Sequence, residues 1–191
     1  MSVKRALQES IELKQKVLNN TQITDDLELL AHKVVESFSQ GGRVYFCGNG
    51  GSAADAQHLA AELSGRYYYD RPPLAAEALR VNTSYLTAVA NDYSYEEIYA
   101  RLFIAFGQKA DVLIGLSTSG NSQNVIRAFE EANKKGVLTV AFTGESGGKM
   151  AHIADICFKI PSSDTPRIQE VHMLLGHSLC EIVEQQMFPQ S

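Results

Sequence analysis

The spacing of apolar positions changes along the chain, and each spacing predicts a type of element. Between residues 25 and 42 apolar side chains recur every three to four residues, which predicts an amphipathic helix (Leu27, Leu30, Ala31, Val34, Val35, Phe38). Asp25 and Glu28 have the spacing of a capping box at its start, and Gly41-Gly42 would end it. A weaker stripe predicts an earlier helix at about residues 3–18 (Val3, Leu7, Ile11, Leu18). We expect a helix so thinly apolar to pack on a partner subunit.

From residue 43 onward, short apolar runs alternate with helical periodicity. The runs predict strands at 43–47, 75–81, 111–116, 137–143 and 156–160, and the periodic segments predict helices at about 53–66, 86–90, 95–107, 123–135 and 167–187. Strands that alternate with helices are typical of βαβ units with a parallel sheet and right-handed crossovers. The sequence therefore predicts an α/β fold, a three-layer α/β/α sandwich with a doubly wound parallel sheet and an additional N-terminal helix.

Composition narrows the class of protein but says little about its chemistry. The chain has 191 residues, 45% of them hydrophobic and 20% charged, which predicts one compact domain over residues 1–191, with residues 1–24 as an N-terminal helical segment. A net charge of −5 argues against nucleic acid as a partner, and no apolar run is long enough for a membrane span. The three scattered cysteines predict buried free thiols, and the charged start does not resemble a signal peptide. We expect a soluble cytoplasmic protein.

Three loops that follow predicted strands are rich in glycine, and ligands of doubly wound sheets bind at such loops. The loop STSGNS places four hydroxyls around Gly120, just before a helix (Ser117, Thr118, Ser119, Ser122). A helix N-terminus with nearby hydroxyls suits a phosphate monoester. Serine and asparagine also serve as ordinary helix caps, but four hydroxyls in six residues favour anion binding. The loop has no lysine and is therefore not a Walker A motif.

The other two loops are GNGGS at 48–52 and TGESGG at 143–148. In the first, the Asn49 amide could bond to a polyol while Gly50 and Gly51 leave room for a ligand. By itself GNGGS could equally be a tight turn.

Two sets of polar side chains lie on helices. His58 and Glu62 are four residues apart and share a helix face, which is one way to present two metal ligands, although an isolated pair of this kind is more often a surface ion pair. Gln169 and His177 lie on a mostly apolar helix, where a buried polar group needs a partner. Packing of the two helices would provide it, but the sequence alone does not establish that they meet. Asn91 and Asp92 end a short apolar helix, either as a turn or as a substrate contact.

With these residues assembled, the chain resembles the phosphoheptose isomerases of the sugar-isomerase (SIS) domain superfamily over about residues 25–188. The blocks that carry the resemblance are CGNGGSAADAQHLAAELSGR, ANDYSY, STSGNS, TGESGGKMA and RIQEVHMLLGH. It implies a homotetramer with its sites at subunit interfaces, and this agrees with residues 1–24 as an oligomerisation segment. It also implies conversion of sedoheptulose 7-phosphate to D-glycero-D-manno-heptose 7-phosphate, the first step of ADP- or GDP-heptose biosynthesis, which supplies lipopolysaccharide, S-layer or capsule.

The resemblance also assigns roles to residues. It implies that the substrate is bound in open-chain form by Asn49, Gly50, Gly51, Glu62, Asn91, Asp92, Ser117, Thr118, Ser119, Ser122 and Gln169. One zinc ion per subunit would be held by His58, Glu62, Gln169 and His177. Glu62 is suited to be the base that forms an enediol, and His177 to exchange protons with the oxygens.

Two points qualify this interpretation. A relative in the superfamily, which binds the replication initiator, keeps the fold as a non-catalytic adaptor; it lacks the acid–base pair that Glu62 and His177 form here. Pro166 stands where many family members have an acidic residue, and proline is well suited to a helix start.

Overall fold

The computed structural model describes residues 2–79 and 82–190, and within them it has seven α-helices and five β-strands. The helices are α1 (Val3–Leu18), α2 (Thr21–Ser39), α3 (Gly51–Ser64), α4 (Thr83–Asp92), α5 (Ile98–Phe106), α6 (Gln123–Lys134) and α7 (Thr165–Met187). The strands are β1 (Val44–Gly48), β2 (Ala76–Ala78), β3 (Val112–Ser117), β4 (Leu138–Thr143) and β5 (Ile156–Lys159). Short 3-10 turns lie at Tyr95–Glu97 and Met150–His152.

The strands form one parallel sheet in the order β2-β1-β3-β4-β5. From β1 the chain passes to β2 on one side, and then to β3, β4 and β5 on the other side of β1. The direction of winding therefore reverses between β1 and β3. In open parallel sheets this switch point is where the loops diverge and leave a crevice at the carboxyl ends of the strands. The predicted doubly wound α/β sandwich is confirmed.

Alternation of side chains along the strands divides the core into two layers. On β1, Val44 and Phe46 face the layer of α2, α3 and α7, whereas Tyr45 and Cys47 face the layer of α4, α5 and α6. All of β1 and β3 is buried, since helices cover both faces of these central strands.

Helix α1 docks on the start of α7 through a polar contact rather than a broad apolar face. Leu13 and Val17 are buried against the body. The Ser10 hydroxyl donates to Glu170 (2.6 Å), and the Arg167 guanidinium donates to the carbonyl of Ala6 (2.7 Å). The stripe predicted for this helix points the other way: Val3, Leu7, Ile11 and Leu18 are 79%, 60%, 61% and 67% exposed.

Element boundaries differ from the prediction in a few places. Helix α2 begins at Thr21 with Asn20 as its N-cap, and not at Asp25, because Ile23 extends the buried stripe by a further turn. The segment 1–24 therefore includes the first turn of α2. Strand β2 has three residues instead of the predicted 75–81, of which residues 80 and 81 lie outside the described ranges. The helix predicted at 95–107 begins as a 3-10 turn and becomes α-helical at Ile98.

The cysteines Cys47, Cys157 and Cys180 are free thiols. Cys47 and Cys180 are buried as predicted, but Cys157 is only half-buried because β5 is an edge strand with a neighbour on one side. No helix in the described ranges combines the length and the apolarity needed to cross a lipid bilayer.

His172 lies on the inner face of α7, fully buried beneath the sheet. Its ring packs edge-on against Phe142 at 5.7 Å, and Nε2 lies 3.2 Å from the carbonyl oxygen of Thr143, to which it must donate because a carbonyl only accepts. Burial lowers the pKa of His172 from 6.5 to about 4. The folded protein therefore keeps this imidazole neutral at pH values where the unfolded chain would protonate it.

We expect the folded state to lose stability as the pH falls from 6.5 to 4, because only the unfolded state takes up this proton there. At about 1.4 kcal/mol per pKa unit, His172 contributes about 3 kcal/mol to that loss. Thermal unfolding of the wild type and of His172→Phe across this range tests it. The gap between the two melting temperatures should shift in favour of the variant as the pH falls, and a constant gap would contradict the account.

Candidate active site

The switch point brings two of the three glycine-rich loops together. Strands β1 and β3 are adjacent and in register to their ends, where Gly48 lies opposite Leu116. GNGGS therefore leaves the sheet beside STSGNS, and each loop leads into a helix, α3 and α6 respectively. A crevice between two helix N-termini at the carboxyl edge is the usual ligand position in this architecture.

Three of the four hydroxyls of STSGNS lie close together. Ser117 Oγ lies 2.8 Å from Ser122 Oγ and 3.5 Å from Ser119 Oγ. Ser122 is the N-cap residue of α6, yet its side chain does not cap the helix. Thr118 in the same loop is half-buried. Helix capping was the alternative interpretation of this loop, and the Ser122 hydroxyl does not cap α6 but lies against Ser117.

The third loop, TGESGG, packs against the STSGNS loop. Gly120 adopts a φ of +65°, which favours glycine, and a Cβ there would overlap the carbonyl oxygen of Gly147. The Met150 amide donates to the carbonyl of Gly120 (3.0 Å), and the Lys149 amide donates to Asn121 Oδ1 (3.1 Å). TGESGG therefore supports the shape of STSGNS.

In GNGGS the Asn49 amide is held by protein partners. Its Nδ2 donates to Asn124 Oδ1 (2.9 Å), and its Oδ1 accepts from Asn124 Nδ2 (2.8 Å) and from the Tyr95 hydroxyl (3.0 Å). These bonds tie the end of β1 to the first turn of α6. Gly50 is exposed and has open space around its α-carbon, whereas the space beside Gly51 is occupied by the amide of Gln169.

Asn91 and Asp92 are the last two residues of α4 and not a separate turn. Both are exposed, and Asn91 Nδ2 donates to Asp92 Oδ1 (3.0 Å). They lie a few residues before Tyr95, whose hydroxyl donates to Asn49 at the crevice.

Helices α3 and α7 pack side by side, which the sequence could not establish. A Cβ on Gly176 would lie 2.5 Å from Leu59 Cδ1, so the Leu59 side chain of α3 packs directly on the α7 backbone where Gly176 has no side chain. His58 precedes Leu59 and His177 follows Gly176. The close contact therefore lies immediately beside both histidines.

His58, Glu62 and His177 form one cluster at this contact. His58 Nε2 lies 3.0 Å from Glu62 Oε1 and 3.0 Å from His177 Nε2. His58 is 51% and Glu62 26% exposed, so the cluster is open to solvent on one side. Burial and the neighbouring His58 lower the pKa of His177, while Glu62 acts in the opposite direction. The arrangement joins a carboxylate to a pair of imidazoles, which can share a cation or transfer protons.

The cluster also fits a divalent metal ion. One donor atom from each of the three side chains lies within 4.8 Å of the others. Ligands about 2.0–2.1 Å from a tetrahedral zinc are about 3.3 Å apart, close to the two 3.0 Å separations here.

Gln169, the fourth ligand that the resemblance implies, lies on the same helix as His177. It lies eight residues before His177, or about 12 Å along α7. Its amide packs on Gly51 at the start of α3, two turns from His58. The structure therefore brings together three of the four residues within one chain and places the fourth beside the GNGGS loop.

Sequence reasoning missed five residues that shape this region: Tyr67, Arg71, Tyr95, Asn124 and Glu184. Glu184 had a detectable signal, since it lies four residues after Cys180 on the buried stripe of α7 and so required a partner. That partner is Arg71, at 2.9 Å, with both side chains 1% exposed. Burial alone would raise the pKa of Glu184, but hydrogen bonds from the Tyr68 and Tyr67 amides and from Arg71 lower it. Nothing in the local pattern around Arg71 or Tyr67 indicated their contacts.

Comparison with known proteins places the chain clearly. The sequence model of the SIS domain matches residues 7–144. The phosphoheptose isomerase of Aneurinibacillus thermoaerophilus is 46% identical over 186 residues, which cover 97% of this chain and 94% of that protein. The one from Rhodospirillum rubrum is 56% identical over 151 residues, 79% of this chain and 80% of that protein.

Solved structures agree. The phosphoheptose isomerase of Neisseria gonorrhoeae superposes with a TM-score of 0.87 at 40% identity, covering 96% of this chain and 97% of that one. A phosphoheptose isomerase from Francisella tularensis superposes with a TM-score of 0.91 at 35% identity, covering 96% of both chains.

The helix contact can be tested with Gly176→Ala. Alanine favours a helix over glycine by about 1 kcal/mol, but here it would be forced against Leu59, at a cost of about 1–3 kcal/mol. We expect a net loss of stability in thermal unfolding. Ser178→Ala, which adds alanine to the same helix without facing Leu59, should be neutral or stabilising. A Gly176→Ala protein more stable than the wild type would show that the helices are not in close contact.

Proposed function

This chain belongs to the phosphoheptose isomerases of the SIS domain family, and on that premise we propose that it converts sedoheptulose 7-phosphate to D-glycero-D-manno-heptose 7-phosphate. The observation that carries the proposal is the cluster of His58, Glu62 and His177, which joins a carboxylate to an imidazole pair beside a parallel sheet whose switch point ends in a hydroxyl-rich loop. This is the first step toward nucleotide-activated heptose.

The STSGNS loop binds the phosphate. Hydroxyls of Ser117, Thr118, Ser119 and Ser122 and the N-terminus of α6 supply neutral donors, which suit a phosphate monoester that enters and leaves. The sugar hydroxyls lie near Asn49, Gly50, Gly51, Asn91, Asp92 and Gln169. Because the Asn49 carbonyl oxygen already accepts two hydrogen bonds, Asn49 has only an N–H left to offer and recognises an oxygen acceptor.

The reaction moves a carbonyl from C2 to C1. Glu62 removes a proton from C1 and returns it to C2, through a cis-enediol. His177 takes a proton from the C1 oxygen and gives one to the C2 oxygen, and its lowered pKa keeps the neutral, accepting form available near neutral pH. Both groups lie within one cluster, so the two proton transfers take place on adjacent atoms.

Zinc is the metal that suits the cluster, because imidazole nitrogens and a carboxylate oxygen are its ordinary ligands. His58, Glu62 and His177 would hold it, and Gln169 would complete the set. When bound, the ion would polarise the substrate oxygens and make the C1 proton more acidic. A carboxylate and an imidazole that bind the metal are weaker proton carriers, so Glu62 and His177 are assigned to proton transfer on their own chemistry.

A homotetramer explains two features of the single chain. Glu62 lies eleven residues along α3 from Gly51, about 16 Å, and Gln169 lies about 12 Å along α7 from His177. A neighbouring copy that supplies its phosphate loop would complete the site at the cluster of its partner. The exposed stripe Val3, Leu7, Ile11 and Leu18 within residues 1–24 gives such a copy a surface to pack on.

The reaction takes place in the cytoplasm, and three free thiols are the usual state of cysteine in a reducing compartment. The non-catalytic adaptor has no support, since the relatives named above are isomerases and Glu62 and His177 are both present. Pro166 occupies the first turn of α7 in place of the family's acidic residue, so the proposed chemistry does not use a side chain there.

Steady-state isomerisation of sedoheptulose 7-phosphate tests the assignment. Glu62→Gln should lower kcat by about 100- to 10,000-fold, the usual contribution of a general base. Ser119→Ala should instead raise KM by about tenfold with kcat little changed, because it removes one hydrogen bond to a charged group.

Thermal unfolding and light scattering should show both variants folded and assembled as the wild type is. Glu62→Gln with near-normal turnover would overturn the base assignment. A collapse of kcat in Ser119→Ala at unchanged KM would overturn the phosphate assignment.

The oligomer can be tested by placing a charge in the stripe. Leu7→Glu should yield species smaller than a tetramer in size-exclusion chromatography with light scattering, because a buried unpaired carboxylate opposes association. Gln8→Glu introduces the same charge on the flank of the stripe and should leave the tetramer intact. A wild type that elutes as a monomer, or a tetrameric Leu7→Glu, would contradict this interface.

A further inference from the structure

Arg71 and Glu184 form a buried ion pair that joins the loop after α3 to α7. Arg71 Nε lies 2.9 Å from Glu184 Oε1, and both side chains are 1% exposed. A buried charge is tolerated only when its hydrogen bonds are satisfied, and here nearly every donor has a partner. Nη1 donates to the carbonyls of Leu63, Gly65 and Pro72, and Nη2 donates to the carbonyl of Glu62.

These bonds close the C-terminal end of α3. The last carbonyls of a helix lack partners within the helix, and Arg71 takes up two of them, at Glu62 and Leu63. The guanidinium therefore holds the backbone of the proposed base as well as the loop that follows it.

The carboxylate of Glu184 holds the same loop from the other side. It accepts the backbone N–H of Tyr67 (2.9 Å) and of Tyr68 (2.8 Å). The Tyr69 hydroxyl adds bonds to the carbonyls of Glu184 and Phe188, at 3.2 and 2.8 Å. The two carboxylate bonds fix the backbone of Tyr67 relative to α7, two turns after His177.

From this anchored backbone the ring of Tyr67 stacks on the imidazole of His177. The ring centroids are 5.8 Å apart and the planes differ by 30°. His58 meets the same imidazole through Nε2, with ring planes at 59°. An imidazole on an open face can turn about its last torsion angle, and a stacked ring restricts that rotation.

We propose that Tyr67 is a positioning residue, which keeps Nε2 of His177 directed at His58 and Glu62, and that the Arg71–Glu184 pair holds Tyr67 in place. The inference rests on the proposed function for its kinetic consequence, but its geometric content is independent of the substrate. The aromatic ring is the essential part, whereas the phenolic hydroxyl is dispensable.

Three variants separate this role from general stabilisation of the loop. Tyr67→Leu removes the stacked ring, Tyr67→Phe keeps it, and Tyr69→Phe removes two hydrogen bonds between the loop and α7 without touching His177. Each is measured by kcat and KM for sedoheptulose 7-phosphate, by thermal unfolding, and by a crystal structure of the metal-free protein.

Tyr67→Leu should lower kcat by about tenfold or more with KM within about threefold, since misplacing a reacting group by about 1 Å can cost about 100-fold. Tyr67→Phe should restore kcat to within about threefold of the wild type. Tyr69→Phe should melt at a lower temperature with kcat unchanged. In the crystal, the His177 ring of Tyr67→Leu should be rotated away from His58 or present in two orientations.

The inference is overturned if Tyr67→Leu keeps both kcat and the His177 orientation, or if Tyr69→Phe lowers kcat as much as Tyr67→Leu does. A wild type without isomerase activity would overturn the proposed function instead. In that case the orientation of His177 in the variant crystals would still decide the positioning role.

Discussion

The close packing of α3 on α7 at Leu59 and Gly176 is the contact on which the rest of the site depends. Each helix carries only part of the chemistry, with His58 and Glu62 on one and His177 on the other. The Leu59 side chain packs into the space left by the missing side chain of Gly176, and beside this contact the two imidazole nitrogens lie 3.0 Å apart. Farther along the helices, the buried Arg71–Glu184 pair holds the end of α3 against α7. A small residue at one point and a buried ion pair at another thus determine the geometry of three solvent-facing groups.

The second half of the site lies in the loops at the carboxyl edge of the sheet. Its winding reverses between β1 and β3, so two loops diverge there, and the hydroxyls of one converge at a helix N-terminus. In the proposed function, this half binds the phosphate and the helix pair carries the proton transfers. In the proposed tetramer, neighbouring copies would complete one another's sites.

Periodicity was sufficient to predict the alternating elements, because both faces of the central strands and one face of each helix are buried. The capping-box spacing at Asp25 placed the start of α2 too late, because the buried stripe extends to Ile23, one turn before Leu27. His58 and Glu62 were recognisable from their spacing on one helix, but their meeting with His177 depends on tertiary packing at Gly176. Arg71 and Tyr67 carried no local signal, because their roles come from burial beside Glu184 and His177, which are distant in sequence.

The central claim is that two helices, and not one, build the reactive centre. Anomalous diffraction at the zinc edge from crystals of the zinc-loaded protein tests it most directly. The account predicts one strong peak per chain within bonding distance of His58 Nε2, His177 Nε2 and the Glu62 carboxylate. A peak that involves ligands from only one of the two helices, or no ordered peak at this contact, would contradict it.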